Sequence, residues 1–223
     1  MVENVDPIEN VRINKNIYSK TFIWMFLGLL ATGIVCVFSY VTDFPINFVE
    51  IWPVILIVEV IVVLIFSFLF KKLPPSVVGI LFFIYAILNG ITLSTIFYLY
   101  ELSSILYVFF GAAAIFGICA LYGKVTNADL SKFGTIFFVT LVIGIIISIV
   151  NLFIGNSIIE TVIDWVVLLV FFGITAWDMQ KVRQLSENTS DNDKLAIYCA
   201  MELYLDFINI FIRILSIFGS RRD

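Results

Sequence analysis

The sequence contains no histidine among its 223 residues, and charged residues of either sign are scarce. Asp, Glu, Lys and Arg together make up 13% of the chain, whereas soluble proteins carry about 25%. Without imidazole, any response to pH near neutrality has to come from carboxyl groups. The formal net charge of −4 and the lack of a basic tract argue against a nucleic-acid-binding protein.

Cysteine is also rare. Cys36, Cys119 and Cys199 each lie inside an apolar segment, and none forms a CxxC pair. This spacing does not match a zinc site or a disulfide framework, so we interpret all three as small buried hydrophobic residues. The apolar run that follows residue 20 lacks a small-residue cleavage site. We therefore interpret it as a first membrane span rather than a removable signal.

Apolar residues, in contrast, make up 61% of the chain. They are grouped in seven runs of about twenty residues, which is the length that a helix needs to cross a bilayer. The runs lie at about 22–41, 51–70, 76–99, 104–122, 133–154, 161–180 and 196–217. Lipid offers no partner for unpaired backbone groups, and no segment alternates like a barrel strand, so each run is predicted to be a helix. We predict a single all-α membrane domain over residues 1–223, with 1–20 as a short tail.

Lysine and arginine are confined to alternate loops. Ten of them precede the first span or lie in the second, fourth and sixth loops, and the other loops contain none. The acidic residues of those other loops are Asp43, Glu50, Glu101 and Glu160. Because basic loops stay in the cytoplasm, the amino-terminal tail is predicted to be cytoplasmic. Arg221 and Arg222 break this rule, so a seventh helix that does not fully cross remains an alternative.

The seventh span carries a polar stripe, and the fourth carries a cluster of small residues. The stripe comprises Glu202, Asp206, Asn209 and Arg213. At 100° per residue these four lie within an arc of about 60°. Charged residues inside a span usually face a bundle interior, so we predict that the last helix lies within a ring of the others, stripe inward. The small residues at 111–114 and 117 predict close helix packing in the fourth span.

Two other spans carry carboxylates, Glu59 and Asp178. Spans six and seven form a hairpin, and Asp178 and Asp206 are equidistant from position 192 in the loop between them. Their carboxylates are therefore expected to approach within about one helical turn, roughly 5 Å. Two carboxyl groups in a low-dielectric bundle share a proton rather than both ionising. Such a pair is predicted to act as a pH-responsive latch or as a ligand for a hard cation such as Ca²⁺.

A structural role is the alternative for these charged residues. In that interpretation Arg213 neutralises Glu202 or Glu59 within the bundle, and the stripe stabilises the fold without conducting anything. Both interpretations remain open at the level of the residues alone.

Four pieces of sequence resemble a known family. The last span contains Glu202-Leu-Tyr-Leu-Asp-Phe-Ile-Asn-Ile-Phe, which is similar to the signature of the transmembrane Bax-inhibitor-motif family. Three less specific pieces match in chain order, namely Glu59-Val, Asn89-Gly-Ile-Thr-Leu and Trp177-Asp-Met-Gln. The resemblance covers the chain from about residue 20 to its end.

The resemblance implies a seven-helix bundle with the last helix at its centre. It also implies a pH-gated calcium leak, with the gating aspartates at Asp178 and Asp206. The short amino-terminal tail is most similar to that of bacterial members, which favours a bacterial plasma membrane. Some members carry an arginine near the end of span two that closes onto the span-six aspartate. Here Lys71 or Lys72 would have to take that place, and lysine lacks the bidentate fork of arginine.

We therefore predict a pH-sensitive calcium leak channel, not an enzyme and without a cofactor. Its partners are the bilayer, calcium and protons, and calcium is the permeant ion or is bound at Asp178 and Asp206. The predicted ion pathway or supporting polar network comprises Glu59, Glu202, Asn209 and Arg213. A proton-coupled transporter remains an alternative because carboxylates also suit proton coupling, although no inverted repeat is visible. A membrane regulator without transport also remains open.

The sequence argues against two further classes of membrane protein. An intramembrane aspartyl protease needs a GxGD motif, and no GxGD occurs in the chain. A retinal protein needs a Schiff-base lysine in its last helix, and residues 196–217 contain no lysine.

Overall fold

The computed structural model describes residues 7–47, 49–188 and 193–222, with side chains for 17–47, 50–186 and 193–222. Within these residues, seven helices are long and apolar enough to cross a membrane. They are α1 (Pro7–Val41), α2 (Trp52–Leu69), α3 (Pro75–Leu93), α4 (Leu102–Val125), α5 (Gly134–Ile154), α6 (Ser157–Asn188) and α7 (Asp193–Phe218). Short helical pieces at Phe44–Asn47, Val49–Ile51, Phe70–Lys72, Ile96–Leu99 and Leu130–Phe133 lie between them. The prediction of an all-α, seven-span fold is confirmed.

Proline and glycine mark several of the helix ends. Proline occupies the first turn of α2 and of α3, where its missing N–H leaves no hydrogen bond unmade. Helix α5 ends at Ile154, and the next residue, Gly155, has a φ of +69°, in the left-handed region that glycine adopts without strain. The Gly155 N–H donates to the carbonyl of Asn151 at 2.7 Å, which closes the last turn of α5.

Helix α1 begins much earlier than the first apolar run. Its backbone is helical from Pro7, whereas the first apolar run of the sequence begins at about residue 22. Residues 7–20 of the predicted tail are therefore the first turns of α1. No glycine or proline follows Pro7 before residue 20, so nothing stops the helix from extending beyond the lipid. The start of the apolar run therefore does not indicate where this helix begins.

The chain divides into two compact units. The first comprises Met1–Leu99 and Gln184–Tyr204, and the second comprises Tyr100–Arg183 and Leu205–Asp223. In the first unit α1 packs on α3, and α3 also packs on α2. Helices α1 and α3 approach closely at Gly90, where a Cβ would lie 2.7 Å from the Thr32 carbonyl oxygen.

Glycines also set the packing of α6 within the second unit. A Cβ at Gly123 of α4 would lie 1.9 Å from the backbone oxygen of Ala176, so only glycine allows this contact. A Cβ at Gly134, the first residue of α5, would lie 2.5 Å from the Trp177 ring. The packing predicted around residues 111–117 is partly wrong. Ala112 is fully buried, but a Cβ at Gly111 or Gly117 would meet no described atom within 4 Å.

Helix α7 is the most buried span. Two thirds of its spanning window, 67%, is buried, against 44% for α3, which has the next highest value among the described spans. The prediction that the last helix lies inside the fold is confirmed. Its apolar residues Leu203 and Ile210 are fully buried as well, so burial is not confined to the polar stripe. This all-round burial is typical of a helix surrounded by others.

The carboxyl end of α7 is attached to the start of α4 within the second unit. The Glu101 N–H donates to the Ser220 carbonyl at 3.0 Å, and the Ser220 N–H donates to the Ser104 hydroxyl at 2.9 Å. Tyr100 and Arg221 form an antiparallel bridge. Helix α7 has 26 residues, and its length of about 39 Å exceeds the hydrocarbon thickness of about 30 Å. These contacts favour a full crossing over the partial one left open above.

Candidate functional site

The two aspartates of the predicted latch are both buried in the second unit. Asp178 on α6 is 5% exposed, and Asp206 on α7 is 2% exposed. Each lies inside an apolar span. A carboxylate at such a position is unfavourable unless the surroundings compensate it, and in membrane proteins it usually has a function. The structure therefore places both residues in the expected interior, and their direct contact stays a prediction.

The Asp178 carboxylate has a cationic neighbour on its own helix. Lys181 Nζ lies 2.7 Å from Asp178 Oδ1, one helical turn further along α6. The same ammonium lies over the Trp177 ring, 4.5 Å from its centre. Lys71 and Lys72 were the predicted cationic partners of Asp178, and Lys181 was not among them. The signal was present, since an aspartate and a lysine three residues apart share one helix face.

The segment of α6 around Asp178 is held by the connection between α4 and α5. The Gln180 side chain is almost fully buried and bonds this connection twice. Its Oε1 accepts from the Leu130 N–H at 3.0 Å, and its Nε2 donates to the Ala128 carbonyl at 2.7 Å. Because Gln180 is only two residues from Asp178, these bonds restrict where the carboxylate lies.

Arg183 adds a second attachment to the same connection. Its Nη1 donates to the carbonyl of Lys124 at 2.8 Å and to that of Thr126 at 2.9 Å. Both carbonyls lie at the carboxyl end of α4, where the last carbonyl groups of a helix need donors from outside it. Together with the close approach at Gly123 and Ala176, this fixes α6 against α4 on both sides of Asp178.

A second buried charge cluster, which we call the α6–α7 clamp, comprises Asp164, Arg213 and Ser216. Asp164 lies near the start of α6 and is 4% exposed. Its Oδ1 accepts from Arg213 Nη1, and its Oδ2 accepts from the Ser216 hydroxyl. The clamp supplies a counter-charge to Arg213 at Asp164, a residue that was not among the predicted partners of this arginine.

The remaining polar residues of the α7 stripe lie in different surroundings. Asn209 Nδ2 donates to the Leu205 carbonyl, one turn earlier on the same helix, at 2.8 Å. Glu202 is half-buried and belongs to the first unit, whereas Asp206, Asn209 and Arg213 belong to the second. The stripe is thus continuous on the helix but divided between the two units.

Three more predicted residues lie in the first unit. Glu59 on α2 is half-buried, and its Oε1 accepts from the Thr92 hydroxyl of α3 at 2.5 Å. Lys71 and Lys72 form the short helical turn after α2. The Lys71 carbonyl accepts from Lys194 Nζ at 3.1 Å. Glu59 therefore takes part in helix packing, and a role for either lysine in closing onto Asp178 stays a prediction.

Tyr204, within the last-span motif, is the centre of a buried hydrogen-bond network in the first unit. It is fully buried, and its hydroxyl donates to Asn89 Oδ1 at 3.2 Å. The same hydroxyl lies 2.7 Å from Thr32 Oγ1, which itself donates to the Ala86 carbonyl at 2.9 Å. The network joins α1, α3 and α7, which gives Asn89 and Tyr204 of the family-like pieces a structural role.

Replacing Tyr204 by phenylalanine is expected to lower the free energy of unfolding by about 1–2 kcal/mol, because buried polar groups of Asn89 and Thr32 lose a partner. Thermal unfolding of the purified protein in detergent measures the change. Tyr107→Phe is the matched control, since Tyr107 is 78% exposed on α4 and its substitution should leave the transition unchanged. Equal stability of the two variants would contradict the network.

No three aspartate, glutamate or cysteine side chains gather to hold a metal ion within the described residues. Calcium takes six to eight oxygen ligands. A calcium ion at Asp178 and Asp206 would therefore need backbone carbonyls or waters for most of its coordination. Two carboxylates alone are better suited to a calcium ion that passes through the protein than to a calcium ion that stays bound. The calcium site stays a prediction.

Comparison with known proteins places these features in a wider group. A family model described as inhibitor of apoptosis-promoting Bax1 matches residues 14–223. The inner membrane protein YbhL of Escherichia coli strain K12 is 34% identical over 227 residues, covering 97% of each chain. An uncharacterised protein of Rickettsia prowazekii is 34% identical over 92% of this chain and 89% of its own. The residues matched by the family model include the positions of both buried aspartates and the seven apolar spans of this chain.

Proposed function

Because this chain belongs to the Bax inhibitor family of membrane proteins, we propose that it is a pH-sensitive cation leak that prefers Ca²⁺. The observation that carries the proposal is the burial of Asp178 and Asp206, 5% and 2% exposed, inside apolar spans of one unit. We place it in the bacterial plasma membrane with a cytoplasmic amino terminus, which the ten basic residues on one set of loops support.

The gate in this proposal is the charge of the aspartate pair. When the pair keeps a proton, a hydrogen bond between the carboxyl groups joins α6 to α7. When the proton leaves, the two carboxylates repel each other and attract a divalent cation. Lys181 offsets part of the charge on Asp178. The aspartate pair can therefore lose its proton without leaving an uncompensated charge inside the membrane.

The α6–α7 clamp supports cation passage in a different way. Arg213 on α7 would repel a cation if its charge were uncompensated. Asp164 lies against its guanidinium and removes most of that repulsion. The half-buried Glu59 and Glu202 add further negative charge inside the spans, which favours cations over anions.

The proposal is tested with purified protein in liposomes that contain a calcium indicator, at several values of pH between 5 and 8. The wild-type flux is expected to change with pH, by up to about tenfold per unit for one titrating proton. Asp178→Asn and Asp206→Asn remove the titrating groups, so the flux of each variant is expected to vary less than about twofold over the whole range.

Asp129→Asn is the matched control. Hydrogen bonds from the Ser131 hydroxyl and N–H hold the pKa of the exposed Asp129 carboxyl below its usual value, and it lies between the spans α4 and α5. It is therefore ionised from pH 5 to 8, and its removal should leave the pH response intact.

A pH response that survives in both Asp178→Asn and Asp206→Asn would overturn the latch. Flux that requires an opposing proton flow would indicate a proton-coupled transporter, and folded protein without flux would indicate a regulator.

A further inference from the structure

An apolar groove of about 670 Å³ lies on the first unit, between α1 and α3 and beside the start of α7. Its walls include Trp24 from α1 and Phe83, Ile84 and Ile87 from α3. Ile84 and Ile87 are 40% and 43% exposed. Since both helices are membrane spans, the groove faces the hydrocarbon of the bilayer, and its occupant is a molecule that resides there.

The length of the groove matches one leaflet of the bilayer. It follows α3 from Ser76, in the first turn of that helix, to Ile87. Eleven residues of α-helix rise about 17 Å. Half of the hydrocarbon thickness is about 15 Å. The groove therefore has the length of one acyl chain that extends from the interface to the bilayer centre. Its volume is also within the usual 300–1,000 Å³ of small-molecule sites.

A pair of opposite charges lies at the interfacial end of this groove. Lys20 Nζ lies 2.6 Å from Asp193 Oδ1, and both side chains line the groove. Their side chains are 28% and 65% exposed, so both charges are accessible to a molecule that lies there. The apolar wall thus ends in one ammonium group and one carboxylate side by side.

We propose that this groove binds one phosphatidylethanolamine molecule from the leaflet at the Lys20 end. One acyl chain lies along Trp24 and Ile84, the phosphate accepts from Lys20, and the primary ammonium group donates to Asp193. The headgroup then replaces the exposed Lys20–Asp193 ion pair by two charge-assisted hydrogen bonds, one from Lys20 to the phosphate and one from the lipid ammonium to Asp193.

The headgroup chemistry distinguishes this lipid from the other common phospholipids. Phosphatidylglycerol carries a phosphate but no cation, so Asp193 repels it. Phosphatidylcholine carries a cation without an N–H, so it cannot donate a hydrogen bond to Asp193. A rim with both signs of charge therefore selects the lipid that has both a phosphate and a primary ammonium group.

The test is native mass spectrometry of the purified protein with phosphatidylethanolamine, phosphatidylglycerol or phosphatidylcholine of identical acyl chains. The wild type is expected to bind phosphatidylethanolamine about fivefold more tightly than either other lipid. Asp193→Asn is expected to remove the preference over phosphatidylglycerol. Lys20→Gln is expected to weaken the binding of phosphatidylethanolamine and of phosphatidylglycerol, since the phosphate of each lipid has lost its cationic partner.

A blocking variant tests the groove itself. Ile84→Trp fills the groove and is expected to lower lipid binding at least fivefold. The matched control is Ile145→Trp, an equally apolar change at a 59% exposed position of α5 in the second unit. Unchanged binding to Ile84→Trp would overturn the groove as the site. A preference for phosphatidylglycerol, or a preference that Asp193→Asn leaves intact, would overturn the headgroup assignment. Neither result bears on calcium flux, so the inference stands or fails independently of the proposed function.

Discussion

Arg213→Met is expected to lower the free energy of unfolding by about 3 kcal/mol or more. The change leaves Asp164, 4% exposed, without its cation. The Ser216 hydroxyl remains, but one neutral donor does not replace a guanidinium beside a buried carboxylate. The loss is measured as a shift in the thermal unfolding of the purified protein in detergent.

The double variant separates the charge from the packing. Asp164→Asn together with Arg213→Met removes both charges, so it is expected to be more stable than Arg213→Met alone, because no buried charge is left unpaired. Glu160→Gln is the control, since Glu160 lies one turn before Asp164 on α6 and is exposed. If the double variant unfolds at the same temperature as Arg213→Met, the ion pair is not the source of the loss.

Gly123→Ala is the second large effect, and it arises from a single methyl group. The new Cβ would lie 1.9 Å from the Ala176 carbonyl oxygen, a backbone atom that cannot rotate away. Helices α4 and α6 have to separate, and overpacking of this kind lowers stability by about 1–3 kcal/mol. Because Ala176 is two residues from Asp178, the variant is also expected to change the pH dependence of calcium flux in liposomes.

Gly117→Ala provides the matched control on the same helix. A Cβ at Gly117 would meet no described atom within 4 Å, so the substitution should leave stability unchanged or raise it slightly through the better helix propensity of alanine. Two glycines six residues apart in one apolar helix are thus expected to respond oppositely to the same change. Similar losses for both variants would mean that the helix itself, and not its contact with Ala176, is sensitive.

The number and type of the spans followed directly from the sequence, because membrane thickness fixes the length of an apolar helix. The helix starts did not, as α1 shows, since its polar first turns carry no signal that distinguishes a tail from a helix extension. The buried position of α7 was predictable from Asp206, because a carboxylate in a span has to avoid lipid.

Pairings between helices were much harder to predict. Arg213 has its partner at Asp164, 49 residues away, and spacing along one helix gives no information about such a contact. Close packing was predicted at Gly117 and not at Gly123, because the two glycines cannot be told apart within an apolar run. Which of them meets a neighbour depends on how α4 is rotated about its axis, and that rotation is set by tertiary packing.

The attachment of Ser220 and Arg221 to the start of α4 has a practical consequence for mapping topology with reporter fusions. A truncation series that joins the reporter after Phe218 would remove the acceptor of the Glu101 N–H and the donor to the Ser104 hydroxyl. Both groups would then need new hydrogen-bond partners at the membrane boundary. The reporter would then test an α7 that has lost its attachment to the start of α4. A reporter joined after Asp223 keeps these bonds, so it reports the side of the membrane that α7 reaches when they are present.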